Sequence, residues 1–330
     1  LYAQLDLGEI YAPLKGLRYR FNFGPDFRYY RNGTFRNEES ISSEGKNRAS
    51  LSNQSDFSWT LDNLIYYDKE FGKHSVGLTL LQSATGYHYE ESSMAAEGIP
   101  LESAKWNALS KENVSLLDEW NSGLIEKQLL SYMFRVNYDY NNKYLLTVSG
   151  RWDGASQLAE GNKWAFFPSA ALGWRLDQEE FLKDVTWLNQ LKFRLGVGVT
   201  GNSAIDPYQT KGAIVSLYYP FGSALAPGYA ASEPLIKDGA VAMANKNLSW
   251  EKTTQYNIGL DYSVLNGRIS GVLDFYTSRT TDLLMAMTIP SLNGYTNTYA
   301  NVGKTSNIGV DITSVSYTHL RAHETGRNLV

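Results

Sequence analysis

Apolar side chains recur at every second position over most of this chain, the period of a strand and not of a helix. Leu17, Tyr19, Phe21 and Phe23 alternate with Arg18, Arg20, Asn22 and Gly24. Tyr132, Phe134, Val136, Tyr138 and Tyr140 alternate with Met133, Arg135, Asn137 and Asp139. The same holds for Leu191 to Thr200 and for Tyr256 to Val264. Each run carries one apolar face and one face of charges, amides and glycines. The pattern predicts about eleven strands, at 1–12, 17–30, 57–69, 74–90, 128–140, 143–153, 164–176, 191–201, 251–264, 268–283 and 305–315.

The predicted connections alternate short and long. The short set is Pro13–Gly16, Glu70–Lys73, Asn141–Asn142, Asp177–Gln190 and Leu265–Gly267. Asn141-Asn142 and Asn266-Gly267 are pairs that suit tight hairpins. The long set is 31–56, 91–127, 154–163, 202–250 and 284–304, rich in Ser, Asn, Gly and Glu. In an antiparallel meander all tight turns then fall at one end and all long loops at the other. That polarity, with strands longer than ten residues, predicts an all-β, antiparallel transmembrane β-barrel of which this chain forms part. A propeller would repeat a blade period of about 40–50 residues, and a sandwich would use strands of about 5–6. The alternative from another class is a secreted, soluble all-β module that binds or hydrolyses carbohydrate.

Composition narrows the chemistry. Charged residues make up 19% of the 330, aromatics 13% with 23 Tyr and 8 Trp, and net charge is −4. No basic run tracks phosphates, so nucleic acid is excluded as a partner. With no Cys and only four His, disulfides, thiolate metal sites and a cysteine nucleophile are excluded, and no cofactor or metal is expected. No apolar run approaches the 18 or more residues of a membrane helix, which leaves barrel strands open. Tyr29, Tyr30, Tyr66, Tyr67, Trp152, Trp164 and Trp174 gather at strand ends, where the girdles of a barrel would sit. The chain opens on Leu1 without a signal segment, which reads as a fragment.

Several apparent motifs dissolve on inspection. Gly196, Gly198 and Gly201 match the spacing of a dinucleotide loop, but no helix start follows, so lumen-facing glycines of a strand are expected. His319 and His323 stand four apart with no third ligand. His74 follows a tight turn and is expected to be solvated. Glu179-Glu180 and Asp118-Glu119 read as solvated loop charges and not as an acid/base pair, and no catalytic residue is assigned. Arg18, Arg20, Arg135, Arg151 and Arg194 are expected as ion-pair partners on the polar face. The loops carry the candidate ligand contacts: Trp106, Asp118, Glu119 and Trp120 in 91–127, and Tyr208, Tyr218 and Tyr219 in 202–250. Flat aromatics beside amides and carboxylates suit the faces and hydroxyls of sugars.

Longer segments resemble a known family. Tyr144 to Ser156, with Arg151, Trp152, Asp153 and Gly154, is followed by Gly161 to Arg175, with Phe167-Pro168-Ser169 and Gly173-Trp174-Arg175. Together with Leu191 to Asn202, Asn247 to Tyr262, Asp274-Phe275-Tyr276, Gly16 to Gly24 and Asp62 to His74, these are similar to the barrel of SusC/RagA-type TonB-dependent outer-membrane receptors of Bacteroidetes. The resemblance runs from Leu1 to about Val315. It implies nutrient import: uptake of oligosaccharides or peptides through a plugged barrel, beneath a SusD-like surface lipoprotein. Energy would come from TonB–ExbB–ExbD by way of an N-terminal region absent from this chain. The plug domain is absent too, and eleven strands are about half of a 22-stranded barrel. The cell outer membrane, and contact with its lipid, are implied with it. From about Ser316 the alternation breaks, so residues 1–315 are expected to be barrel and 316–330 a non-family tail of adapter origin.

Overall fold

The computed structural model describes residues 1–41, 45–110, 116–211, 215–221, 224–230, 242–290, 292, 295 and 297–316, with backbone alone for 116–119, 215–221, 224–230 and 242. Along the chain run β1 (Tyr2–Asp6), β2 (Leu17–Arg36), β3 (Arg48–Phe71), β4 (His74–Glu97), β5 (Leu116–Tyr140), β6 (Tyr144–Ala155), β7 (Trp164–Arg175) and β8 (Leu188–Asn202). Then come β9 (Val215–Phe221), β10 (Ala224–Ala230), β11 (Ala242–Met243), β12 (Glu251–Val264), β13 (Ile269–Thr281), β14 (Leu284–Thr288), β15 (Asn297–Asn301) and β16 (Lys304–Ser316). Eleven of these form one sheet in the order β1-β2-β3-β4-β5-β6-β7-β8-β12-β13-β16. The pairs are antiparallel throughout, so the expected meander is what the chain builds. β9 and β10 form a separate hairpin, and β14, β15 and β11 a small sheet of their own, all within the long-loop end.

The tight turns follow from local backbone preference. Asn141 and Asn142 both stand at φ 55°, which hairpin turns matching the sheet twist require. Leu265, Asn266 and Gly267 do the same between β12 and β13, at φ 56°, 57° and 77°.

Five strand boundaries lie more than three residues from the sequence expectation. The first strand stops at Asp6, whose carboxylate accepts from Gly8 N at 3.0 Å and caps a helical turn, α1 (Leu7–Ile10). Pro13, which lacks a ladder donor, then sits in a 3₁₀ turn over Ala12–Leu14. The segments 31–56 and 91–127 are mostly strand: β2 runs on to Arg36, β3 starts at Arg48, β4 ends at Glu97 and β5 starts at Leu116. The β3 extension is mostly polar, as at Ser50, Ser52, Asn53 and Ser55, and the apolar residues of the others, such as Met94, Trp120 and Leu124, are too irregularly spaced to announce a period. Backbone pairing and side-chain pairs such as Tyr29 Oη to Asn53 Oδ1 (3.1 Å) and Thr34 to Ser50 (2.6 Å) hold them.

Register separates the two faces, because directly opposed residues point the same way. One row, Leu172–Leu195–Ile258–Phe275–Val310, is apolar, and its members stand between 39% and 56% exposed. The adjacent row on the other face is Gly173–Arg194–Gly259–Asp274–Asp311. Among the described residues the buried apolar cluster is small: Ala155, Leu158, Ala159, Phe167, Ile205, Leu248 and Trp250. It lies at the long-loop end, where Trp250 Nε1 donates to the Lys163 carbonyl at 2.8 Å and packs edge-on against Phe167 at 5.2 Å. A soluble module would enclose its apolar face; here that face is open.

Aromatic rings bound the apolar face at both ends. Near the tight turns a chain of rings passes from Phe71 to His74 (5.1 Å), Tyr140 (4.9 Å), Tyr144 (6.3 Å) and Trp174 (6.4 Å). His74 is therefore part of this stack, with Nδ1 2.7 Å from Tyr138 Oη, and is not the solvated side chain expected from its place after a turn. Toward the long loops Phe134, Trp152, Phe166, Tyr132 and Trp164 form the second set. β7 carries Trp164 at one end and Trp174 near the other. About ten steps of about 3.3 Å, tilted about 40°, give a belt about 25 Å tall, the height of a lipid-facing band.

Candidate functional site

The polar face is knitted by charge pairs and hydroxyl bridges. Arg194 on β8 reaches Asp261 on β12 at 2.8 Å and, across β12, Asp274 on β13 at 3.0 Å. Gly259 is the register partner of both Arg194 and Asp274, and a Cβ there would stand 2.4 Å from the Asp274 carboxylate and 2.6 Å from the guanidinium. Glycine at that position is what lets the bridge pass. Arg151 holds Asp153 at 2.7 Å and Ser131 at 2.9 Å, and Arg18 pairs with Asp68. Arg20 donates to Asn22 at 2.8 Å and lies 4.6 Å from the Tyr2 ring. Four of the five predicted arginines thus have charged, amide or ring partners. Arg135, exposed on the same face, has no ion pair among the described residues. Gly196 and Gly198 lie on this face of β8, within a continuous strand, and not at a helix start.

The predicted loop residues fall into separate places at the long-loop end. Trp106, in a short 3₁₀ segment, lays its ring on Gly33 of β2, where a Cβ would come within 2.4 Å. It shares a hollow of about 440 Å³ with Arg31, Leu51 and Met94. Trp120 is the register partner of Met94 on β5 and is 80% exposed. It is a strand residue, as are Asp118 and Glu119, whose side chains lie outside the described residues. Tyr208, at φ 70°, accepts from Glu126 N through its hydroxyl at 3.3 Å. Tyr218 and Tyr219 sit on β9, also without described side chains. Trp106 lines a hollow with Met94, whose register partner on β5 is Trp120, and Tyr208 meets the same β5 strand farther down. His319 and His323 lie outside the described residues.

Tyr208 also borders a cleft of about 950 Å³ with Glu126, Glu160, Lys163, Lys211 and Lys246. These three lysines make no ion pair among the described residues. An anionic or hydroxyl-rich ligand would find cations, carboxylates and one ring there. No periodicity or motif announces this cleft, because its residues come from connections far apart in the chain.

Glu97 and Glu179, outside the belt, are among the carboxylates displaced from ordinary behaviour. Lys46 (2.9 Å) and Arg48 (Nε at 2.6 Å) hold the Glu97 carboxyl below the usual range, at the top of β4. Trp174 Nε1 (3.0 Å), Tyr144 Oη (2.8 Å) and Lys143 Nζ (3.2 Å) do the same to Glu179, which anchors the β7–β8 connection to the lower girdle. Glu179 is therefore not the solvated loop charge expected from sequence.

Comparison with known proteins agrees with this arrangement. A family model described as TonB dependent receptor-like, beta-barrel, matches residues 4–328. TonB-dependent receptor SusC of Bacteroides thetaiotaomicron is 34% identical over 314 residues, covering 89% of this chain and 29% of that protein. TonB-dependent receptor P26 of Formosa agariphila is 33% identical over 319 residues, covering 94% and 31%. The chain thus spans about a third of the length of these relatives. Among solved structures, the RagAB peptide importer in its open-open state superposes with a TM-score of 0.79 at 25% identity, covering 91% of this chain and 32% of that one. Its closed-closed state gives 0.83 at 24%, covering 97% and 34%.

Proposed function

The chain belongs to the TonB-dependent receptor-like β-barrel family, and from that premise we propose that it forms part of the wall of an outer-membrane importer. The observation that carries this reading is the two-faced sheet. Its apolar face is exposed and bounded by rings, while its other face is lined with Arg194, Asp261, Asp274, Arg151 and Asp153. Such a sheet suits lipid on one side and a hydrated passage on the other. The protein works as a transporter and not as a catalyst: solute docks at the long-loop end and passes along the polar face. The soluble carbohydrate module loses its support, since its apolar face would have to be covered.

The cargo is an oligosaccharide or a peptide, captured with a SusD-like surface lipoprotein. TonB–ExbB–ExbD supplies energy through parts of the receptor outside this segment. The similarity to SusC and to a peptide importer supports this cargo class. Trp106, Asp118, Glu119, Trp120, Tyr208, Tyr218 and Tyr219 are the contacts we assign to ligand or lid at the rim. Trp120 supports the assignment best, as a large ring left 80% exposed above the belt. We read the barrel wall as ending near Val315; of the expected tail only Ser316 is among the described residues, at the end of β16.

The test is binding of labelled oligosaccharide and peptide panels to the intact receptor with its lipoprotein. One class should bind, and Trp120→Ala or Tyr208→Ala should weaken it about tenfold, the usual effect of truncating one aromatic anchor at an interface. Binding of neither class, or binding indifferent to every one of these positions, would overturn the assignment.

A further inference from the structure

Phe21, Asn63, Gln82, Tyr132, Trp152 and Phe166 are successive register partners from β2 to β7, and so form one row on the apolar face. Four are aromatic, three of them in the upper girdle, so the row lies where hydrocarbon gives way to headgroups. The other two are primary amides. Tyr19 Oη donates to Asn63 Oδ1 at 2.6 Å, and Asn63 Nδ2 donates to Gln82 Oε1 at 2.6 Å. The ladder ends there: among the described residues nothing accepts from Gln82 Nε2. It is this direction of the ladder, with Tyr19 donating, that leaves a donor at the Gln82 end; turned over together, the amides would present Gln82 Oε1 there and free the Tyr19 hydroxyl proton at the other end.

This end opens into a hollow of about 370 Å³, walled by Ile65, Leu80, Phe134 and Trp152. Polar groups that meet hydrocarbon without a partner are costly, and side chains of this kind within a membrane band usually mark a specific contact. The partner must bring an acceptor oxygen and an apolar body, at the depth of the upper girdle. A second copy of this face is a poor match, because the group it leaves without a partner is the same amide N–H donor and not an acceptor.

We propose that this hollow is a binding site for one ester-linked membrane lipid. A carbonyl oxygen of the lipid accepts from Gln82 Nε2, and an acyl chain lies between Ile65, Leu80, Phe134 and Trp152. The proposal rests on the reading that this face meets lipid. It adds a defined lipid to what would otherwise be a uniform belt.

The experiment uses the intact receptor in vesicles of dioleoyl phosphatidylethanolamine, followed by native mass spectrometry. The receptor should retain one lipid. Gln82→Met, or replacement of the lipid by its ether-linked analogue, should each lower the retained fraction about fivefold to tenfold, the loss of one hydrogen bond. Leu172→Ala, elsewhere on the belt, should leave retention unchanged. Heat-modifiable mobility on gels verifies that each variant is folded. Equal retention by Gln82→Met, or a Leu80→Cys disulfide linking two receptors in intact membranes, overturns the proposal. A chain-brominated analogue tests the membrane reading separately: if it fails to quench tryptophan fluorescence in the unmodified receptor, that reading itself has failed.

Discussion

Arg194 shows how one residue type answers to its place in the sheet. Its side chain is 31% exposed and neutralises two carboxylates on two neighbouring strands, passing over a glycine to do so. Arg194→Met would leave Asp261 and Asp274 facing each other on a partly dry surface. The expected cost is about 1.5–3 kcal/mol, the range for hydrogen bonds to charged groups, read as a fall in the urea midpoint of the refolded receptor. Gly259→Val should produce most of the same loss by blocking the bridge, while Gly196→Ala, with open space at its Cβ, should not. If Gly259→Val is as stable as the parent, the bridge does not hold the strands as described.

At the scale of elements, the rim is where charge and order are tied together. Glu97, only 7% exposed, joins the β3 and β4 tops by accepting from Lys46 and Arg48. Its carboxyl titrates lower in the folded state than in the unfolded chain. The stabilisation is thus complete above the ordinary carboxylate range and is lost as pH falls through the lowered folded value. Amide hydrogen exchange at residues 46–50 and 95–97, corrected for intrinsic rates, should show protection falling on acidification in that window. Protection that is flat through it, or that rises, would contradict the pairing. The membrane-height parts of β2 to β8, β12, β13 and β16 are legible in the sequence, since a strand with one apolar and one polar face writes its period directly into the chain. The rim is not legible: β3 above Phe57 carries only Ala49 and Leu51 among polar residues, too few to write a period, so its pairing with β2 and β4 leaves no trace in the sequence. Trp120 stands out in the sequence as a candidate contact, but nothing there marks it as a strand residue. His74 and Glu179 look solvated from sequence alone, and the structure shows otherwise. Their partners, such as Phe71, Tyr140 and Trp174, come largely from other strands, and only register brings them close.

For the whole molecule, the sheet has two open edges among the described residues, at β1 and β16. Unpaired backbone cannot be satisfied in hydrocarbon, and an exposed edge in water is a template for association. Residues 1–315 expressed alone should therefore aggregate; a monodisperse, soluble monomer with a sharp melt, seen by light scattering and calorimetry, would argue against a barrel wall. On the proposed reading the same architecture explains why so little apolar surface is buried here: lipid, and not a core, would complete the belt. β12 is the place to examine this directly, since Tyr256, Ile258 and Leu260 alternate with Asn257, Gly259 and Asp261, and its pairing is complete on both sides. Spin labels placed singly at residues 254–262 of the intact receptor in bilayers would report collisions with oxygen and with a polar nickel chelate. Two period-two waves out of phase are expected, with oxygen highest at Tyr256, Ile258 and Leu260 and the chelate highest at Asn257, Gly259 and Asp261. Waves in phase, absent, or reversed between the faces would contradict a sheet with lipid on one side and water on the other.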